Sequence, residues 1–189
     1  MTLKQILQDF NLQQDTDKDT THCYIEQFYE SAFEPYRNKK ISILEIGISA
    51  GASLKLWKEY FKNSIHVIGI DNREYFVYEK YKNIEGVTYY FEDAYNPEIV
   101  KKLPKFDIII DDGCHDLDAQ LRAMEIYFPL LKKSGIYIVE DIQQQLYPNC
   151  YDEFLKVIPD EFKSNHKWLD LRSYKNRPDD TLLIINKWK

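Results

Sequence analysis

Acidic residues close two short apolar runs, in an arrangement that could bind a cation. The runs are FDIII at 106–110, followed by Asp111 and Asp112, and IYIV at 136–139, followed by Glu140 and Asp141. An apolar run that stops on acids is typical of a buried strand that ends at a site. Carboxylate oxygens suit a hard divalent cation. Asp112 and Asp141 are therefore candidate metal ligands.

The segment between these runs decides whether the two acids meet. From Asp116 to Lys132 apolar residues recur at helical spacing, and Ser134-Gly135 then breaks the pattern, so we predict a helix between two strands. A right-handed crossover makes the two strands parallel. As neighbours, they would place Asp112 and Asp141 at one carboxyl edge of the sheet, about 5 Å apart. Ligands of open α/β sheets bind at that edge.

A second candidate site lies at a glycine-containing turn. The run ISILEI at 41–46 predicts the first strand, and the turn GISAG follows it at 47–51. Because glycine lacks a side chain, backbone N–H groups and a helix N-terminus can approach a charged ligand here, which favours a nucleotide-type site. A dinucleotide motif would have glycine in place of Ser49 and Ala52, so NAD is disfavoured. The alternative is a tight turn with no ligand.

Two further strands also end on acids. Asp71 closes the strand at 67–70, where a carboxylate can accept both ribose hydroxyls of a bound adenosine, and Asp93 follows the strand at 87–91, within reach of an adenine amino group. Each acid alone is also compatible with a loop or capping role. Their regular placement at successive strand ends favours a cofactor site.

The alternation of strand and helix patterns predicts an α/β fold. We expect a Rossmann-like, doubly wound, mostly parallel seven-stranded sheet with an antiparallel last strand, the final hairpin being formed with the run TLLIIN at 181–186. A chain of 189 residues with 44% hydrophobic residues fits one domain. We expect an N-terminal helical cap or lid at 1–40 and a core at 41–189.

Composition excludes several classes of protein. A net charge of −6 with interspersed Lys and Arg argues against a nucleic-acid partner, and no apolar run approaches the roughly 18 residues of a membrane helix. Three cysteines without C-x-x-C spacing and without a secretion signal favour a reduced, cytoplasmic protein. The sequence leaves the oligomeric state open, and a homo-oligomer is compatible with it.

A set of motifs carries a family resemblance over nearly the whole chain. They are ILEIGISAGASLKLW at 43–57, VIGID at 67–71, FEDA at 91–94, FDIIIDDGCH at 106–115, GIYIVEDI at 135–142 and TLLIINK at 181–187. Together they resemble class I S-adenosylmethionine-dependent methyltransferases. The TDK segment at 16–18, His22, Tyr24, SLKLW, DDGCH and VED more narrowly resemble metal-dependent O-methyltransferases of rhamnosyl, macrolide and related glycosides. Those enzymes typically have serine where Cys114 stands, and the general motif has glycine where Ser49 stands.

The resemblance implies a role for each candidate residue. The implied cofactor-binding residues for S-adenosyl-L-methionine are Glu45, Gly47, Ser49, Asp71, Asp93 and Asp111. Asp112 and Asp141 would bind Mg²⁺, and His115 would be the catalytic base. Lys18, His22 and Tyr24, which precede the first strand, are expected to contact the substrate or to form a lid. The acceptor would be a sugar or glycoside, and the loop at 143–150 could form one wall of its site.

The expected chemistry supports these roles independently. An alkyl hydroxyl is scarcely ionised at neutral pH, so methyl transfer to it benefits from a cation that stabilises the developing alkoxide and from a base. The sequence does not name a third metal ligand, for which Glu45 and Asp116 are candidates. Zinc held by His22, Cys23, Cys114 and His115 is disfavoured because the pairs are adjacent rather than spaced.

Two alternative functions stay open at this point. The first is a catechol-like small-molecule O-methyltransferase, which would have the same cofactor and fold. The second is a non-catalytic nucleotide-binding module that has kept the Rossmann-like cleft. The sequence does not name the acceptor, because acceptor specificity lies in loops with no readable code.

Overall fold

One mixed sheet runs through the computed structural model, which describes residues 1–186. Lys187, the last residue of the TLLIINK motif, lies outside the described residues. The strands are β1 (Ser42–Ile46), β2 (His66–Ile70), β3 (Val87–Tyr90), β4 (Phe106–Asp111), β5 (Leu131–Val139), β6 (His166–Asp170) and β7 (Thr181–Asn186). The strand order is β3-β2-β1-β4-β5-β7-β6. Strands β1 to β5 pair in parallel, and β7 is antiparallel to β5 and β6. The predicted seven-stranded sheet with an antiparallel last strand is confirmed.

Helices cover both faces of this sheet. The α-helices are α1 (Leu3–Asp9), α2 (Asp17–Thr20), α3 (Glu30–Phe33), α4 (Ala52–Tyr60), α5 (Leu117–Tyr127), α6 (Cys150–Val157) and α7 (Arg172–Lys175). A π-helix spans Ile25–Tyr29, and 3-10 helices span Glu34–Tyr36, Glu74–Phe76, Glu79–Tyr81, Pro97–Lys102, Phe128–Leu130 and Asp160–Asn165. Within residues 1–186, no helix is both long enough and apolar enough to cross a membrane.

The central strands are apolar on both sides because each side meets a separate core. Successive side chains of a strand point to opposite faces. Ile108 and Ile110 of β4 therefore join the core under the N-terminal helices and α4, where Trp57 is fully buried. Ile109 points the other way and packs in the core formed with α5 and α6. This two-sided burial explains the isoleucine-rich runs that end on acids.

Three local predictions differ from the structure. The helix predicted to run to Lys132 ends earlier, and β5 begins at Leu131, because Pro129 lacks the N–H that would continue the helix. The polar run QQDTDKDTT at 13–21 by itself predicts a loop, but it contains the short helix α2. The mixed pattern at 74–82 weakly predicts a helix, but the segment forms two separate 3-10 turns.

Candidate active site

The parallel pairing of β4 and β5 brings the two predicted metal ligands together. Residues of the two strands are in register up to Asp111 and Val139, and the Glu140 N–H donates to the Asp111 carbonyl at 2.9 Å. Asp112 and Asp141 therefore leave the same edge of the sheet, as the sequence predicted.

His115 completes a three-residue group at this edge. Asp112, His115 and Asp141 each offer one ligand atom, and these atoms lie within 4.8 Å of one another. His115 Nε2 is 3.7 Å from Asp141 Oδ2, and the buried His115 Nδ1 has no hydrogen-bond partner among the described residues. The two carboxylates of this group suit a hard divalent cation, which prefers oxygen ligands. Neither Glu45 nor Asp116 belongs to this group.

Asp141 has an unusual backbone conformation. Its φ of +54° lies in the left-handed region, which a residue with a side chain adopts at a cost of about 1–2 kcal/mol. The Tyr24 hydroxyl donates to Asp141 Oδ1. Burial, together with the charges of Asp141 and Glu140, raises the pKa of the Tyr24 hydroxyl far above its ordinary value. Tyr24 therefore stays protonated and acts as a donor to Asp141.

The ammonium group of Lys18 lies among three carboxylates. Its Nζ atom is 2.7 Å from Asp112 Oδ2 and 2.7 Å from Glu140 Oε2, and Glu45 Oε1 is 3.3 Å away. An ammonium has three N–H donors, so each can point to one carboxylate. Burial lowers the pKa of Lys18, but the charges of Asp112, Glu140 and Glu45 outweigh it and raise the pKa well above its usual value. Lys18 therefore joins the ends of three neighbouring strands.

Two further side chains of the N-terminal segment, those of His22 and Tyr29, form hydrogen bonds with acidic residues. His22 Nδ1 is hydrogen-bonded to Asp180 Oδ1, and the Tyr29 hydroxyl donates to Glu140. Lys18, His22 and Tyr24 are all buried, with 1%, 2% and 0% of their surface exposed, and Lys18 also borders a cavity. The segment predicted as a lid is thus packed against the sheet edge. Glu140, Tyr29 and Asp180 are not among the site residues predicted from the sequence. Of the three, only Glu140 lies in a motif, VED at 139–141, that points to the site.

The turn after β1 lies directly against the end of β4. Gly47 has a φ of +77°, and a Cβ atom built on it would lie 2.0 Å from the Asp112 carbonyl oxygen. Ser49 has a φ of +43°. It therefore adopts the left-handed conformation that the glycine of the general motif favours at this position.

The two acids predicted to bind adenosine lie beside this turn. Asp71 is buried, and its Oδ2 accepts the N–H groups of Ile48 at 3.0 Å and Ser49 at 3.3 Å. Asp93 is exposed, and its Oδ1 accepts the Tyr95 N–H at 2.9 Å. Asp71 therefore fixes the turn itself, while Asp93 presents a carboxylate to solvent.

Two adjoining cavities meet at the turn. One has a volume of about 490 Å³ and is lined by residues that include Asp71, Asp93 and Cys114. The other has a volume of about 480 Å³ and is lined mainly by polar residues at 14–18, 20 and 21, with Ser49, Ser53 and Asp112. Both are lined by Gly47, Arg73, Gly113 and His115. Cavities of this size hold nucleotide-sized ligands.

Two predicted cofactor residues lie deeper than the cavities. Glu45 is fully buried and accepts hydrogen bonds from Ser53 Oγ at 2.6 Å and Trp57 Nε1 at 3.1 Å. Asp111 is buried under the turn after β4. Burial raises the pKa of the Asp111 carboxyl to about 8, and the Gly113 N–H opposes this rise. Neither residue lines the two cavities, so a direct cofactor contact by Glu45 or Asp111 stays a prediction.

The cysteines do not form a metal site. All three are free, with Cys23 and Cys150 buried and Cys114 exposed. Among residues 1–186, the groups able to hold a metal contain His and Asp side chains and no cysteine.

Known proteins resemble the chain in both sequence and structure. No family model matches the sequence. The chain is 30% identical over 152 residues to the 8-demethyl-8-alpha-L-rhamnosyl tetracenomycin-C 2'-O-methyltransferase of Streptomyces olivaceus, covering 75% of this chain and 40% of that protein. It is 30% identical over 130 residues to the mycinamicin VI 2''-O-methyltransferase of Micromonospora griseorubida, covering 64% of this chain and 32% of that protein. The chain therefore spans less than half the length of these relatives.

A solved structure shows the same fold. The MycE methyltransferase from the mycinamycin biosynthetic pathway, in complex with Mg, SAH and mycinamycin VI, superposes with a TM-score of 0.76 at 20% identity. The match covers 100% of this chain and 55% of that one. The chain has the Rossmann-like fold of class I S-adenosylmethionine-dependent methyltransferases, and its resemblance to sugar O-methyltransferases is confirmed by these relatives.

Proposed function

We propose that this chain is an S-adenosylmethionine-dependent O-methyltransferase that methylates a sugar hydroxyl with the help of Mg²⁺. The observation that carries the proposal is the convergence of Asp112, His115 and Asp141 beside the turn at Gly47. The relatives, which are sugar O-methyltransferases, support the same reaction.

The cofactor would lie across the two cavities that share Gly47. Asp71 and Asp93 line the first of them, where they can bind the ribose hydroxyls and the adenine amino group. In the second, the N-terminus of α4 and the polar residues around it can bind the charged end of the methionyl group. This placement would put the sulfonium near His115, which lines both cavities.

The residues at the sheet edge can then perform the transfer. Asp112 and Asp141 would hold Mg²⁺, which when bound supplies positive charge that stabilises the developing alkoxide. His115 takes the proton of the acceptor hydroxyl. The oxygen lone pair forms the new bond to the methyl carbon, and the electrons of the broken C–S bond return to sulfur. The products are a methyl ether, S-adenosylhomocysteine and a proton on His115.

The polar lining of the second cavity favours a sugar over a flat aromatic acceptor. The polar residues Thr16, Asp17, Thr20 and Thr21 line this cavity. Such groups match an acceptor that carries several hydroxyls. Residues 1–40 would thus act as a cap that forms part of the site over a core at 41–189.

A methyl-transfer assay tests the proposal. Purified protein is incubated with S-adenosylmethionine labelled in its methyl group and a panel of rhamnosides, other glycosides and catechols. We expect label on a glycoside, and loss of transfer on EDTA treatment with recovery on adding Mg²⁺. Transfer to catechols alone would identify a catechol-type enzyme. Cofactor binding without transfer to any acceptor, unaffected by Asp112→Asn, would indicate a non-catalytic module.

A further inference from the structure

The two oxygens of Asp141 have different surroundings. Oδ1 accepts the hydrogen bond from the Tyr24 hydroxyl. Oδ2 faces His115 Nε2 at 3.7 Å. Because Asp141 belongs to the group of ligand atoms that lie within 4.8 Å of one another, the hydrogen bond from Tyr24 holds one oxygen while the other faces the site.

Tyr24 is itself held by a second layer of side chains. Its ring stacks on the His22 ring, with centroids 4.7 Å apart and an angle of 17° between the planes. His22 is hydrogen-bonded to Asp180, which is fully buried. The π-helix at Ile25–Tyr29 begins directly after Tyr24, and π-helical turns are frequent at functional sites. The Tyr24 hydroxyl therefore has little freedom to leave Asp141.

We propose that Tyr24 is a positioning residue that orients the Asp141 carboxylate for Mg²⁺ binding. The inference rests on the proposed function and assigns the segment around Tyr24 a role other than lid or substrate contact. The backbone of Asp141 fixes where its side chain begins but leaves the carboxylate free to rotate. A hydrogen bond to one oxygen removes that freedom, and such partners tune metal affinity.

The substitution Tyr24→Phe tests this role because it keeps the packed ring and removes only the hydroxyl. The matched control is Tyr36→Phe, whose hydroxyl donates to the Ser134 carbonyl at 3.0 Å, near the opposite end of β5. Mg²⁺ is titrated into each protein saturated with S-adenosylhomocysteine, and its dissociation constant is measured by calorimetry. We expect Tyr24→Phe to weaken Mg²⁺ binding about 10- to 100-fold and Tyr36→Phe to leave it unchanged. Affinity for S-adenosylhomocysteine without Mg²⁺ should be the same in all three proteins.

A second variant covers the case in which Tyr24→Phe does not fold. His22→Gln keeps a donor for Asp180 but removes the ring that stacks on Tyr24, so it should weaken Mg²⁺ binding in the same direction by a smaller factor. Unchanged Mg²⁺ affinity in the folded variants would overturn the role of Tyr24. If the unsubstituted protein binds S-adenosylhomocysteine but not Mg²⁺, the metal in the proposed function is wrong, and the inference falls with it.

Discussion

Gly47 and Asp112 are in direct backbone contact, which links the turn after β1 to the acid that follows β4. A Cβ atom on Gly47 would lie 2.0 Å from the Asp112 carbonyl oxygen, far inside any normal contact distance. The proposed cofactor turn and the proposed metal ligand therefore cannot move independently.

Substitution of Gly47 should disrupt both sites. Gly86 provides a matched control because its φ of +76° equals that of Gly47 within a degree, yet its Cβ would meet only the flexible Lys58 side chain. The left-handed conformation alone costs about 1–2 kcal/mol. We expect Gly86→Ala to lose about this much stability and to bind S-adenosylhomocysteine normally. Gly47→Ala should lose more stability and abolish binding, as measured by urea unfolding and calorimetry. Equal losses in the two variants would show that the contact with Asp112 is unimportant.

Removal of the Lys18 charge should destabilise the fold. Lys18→Met leaves Glu45, Asp112 and Glu140 without their shared cation, and breaking a buried charge cluster in this way costs about 3–5 kcal/mol. Lys132 is the control. Its Nζ is also 2.7 Å from a carboxylate, that of Asp107, but its side chain is 35% exposed, so Lys132→Met should cost about 1 kcal/mol or less. Urea unfolding of both variants in EDTA measures the difference. If Lys18→Met were as stable as Lys132→Met, the Lys18 charge would not be needed to stabilise the three carboxylates.

His115→Ala should remove the base and leave the cofactor bound. We expect turnover on the accepted glycoside to fall about 10²- to 10⁴-fold, the usual contribution of a general base. Affinity for S-adenosylhomocysteine should be retained, because the proposed contacts to the cofactor are made by Asp71, Asp93 and the N-terminus of α4 rather than by His115. His66→Ala is the control, since His66 is exposed at the start of β2, the opposite edge of the sheet. Near-normal turnover of His115→Ala would exclude His115 as the base.

The buried Asp111 carboxyl should make stability depend on pH. Burial raises its pKa to about 8 in the folded protein, against about 4 in an unfolded chain. The folded state therefore binds the Asp111 proton more tightly than the unfolded chain does. The protonated carboxyl contributes fully to the free energy of unfolding below about pH 4, and this contribution is lost as pH rises through 8. Asp111→Asn should flatten that slope in metal-free buffer and be more stable than the parent at pH 9, by on the order of a few kcal/mol.

Asp170 gives the control with the opposite sign. A hydrogen bond from Arg172 lowers the pKa of the exposed Asp170 carboxyl, so its contribution is present at neutral pH and is lost on acidification. Asp170→Asn should leave the slope between pH 5 and 9 unchanged. Urea unfolding across this range measures both variants, and an unaltered slope in Asp111→Asn would refute the role of Asp111.

The convergence of Asp112 and Asp141 could be predicted because it follows from local rules. Each acid ends an apolar run, the runs are joined by a helix, and a right-handed crossover places their ends side by side. The sheet followed from the same alternation of patterns. These rules need only short stretches of sequence, so they predict the meeting of Asp112 and Asp141, whereas His115 is implied only by the family resemblance.

The partners of Lys18 and His22 could not be predicted in this way. Lys18 lies 94 residues from Asp112 and 122 residues from Glu140, and no periodicity relates such positions. The polar run at 13–21 predicts only a loop, whereas the fold buries Lys18 among acids. The early start of β5 was missed for a related reason, because Leu131 continues the helical pattern and only its pairing with Phe106 makes it a strand residue.

The distance in sequence between His22 and Asp180 has a consequence for biosynthesis. The two residues are 158 positions apart, so His22 leaves the ribosome long before its partner is made. Until Asp180 and the final strand emerge, His22 lacks its hydrogen-bond partner. Tyr24, which stacks on His22 and donates to Asp141, is then not yet held in place. The carboxyl edge of the sheet can therefore be completed only after β7 has been translated, because Asp180, the partner of His22, directly precedes that strand.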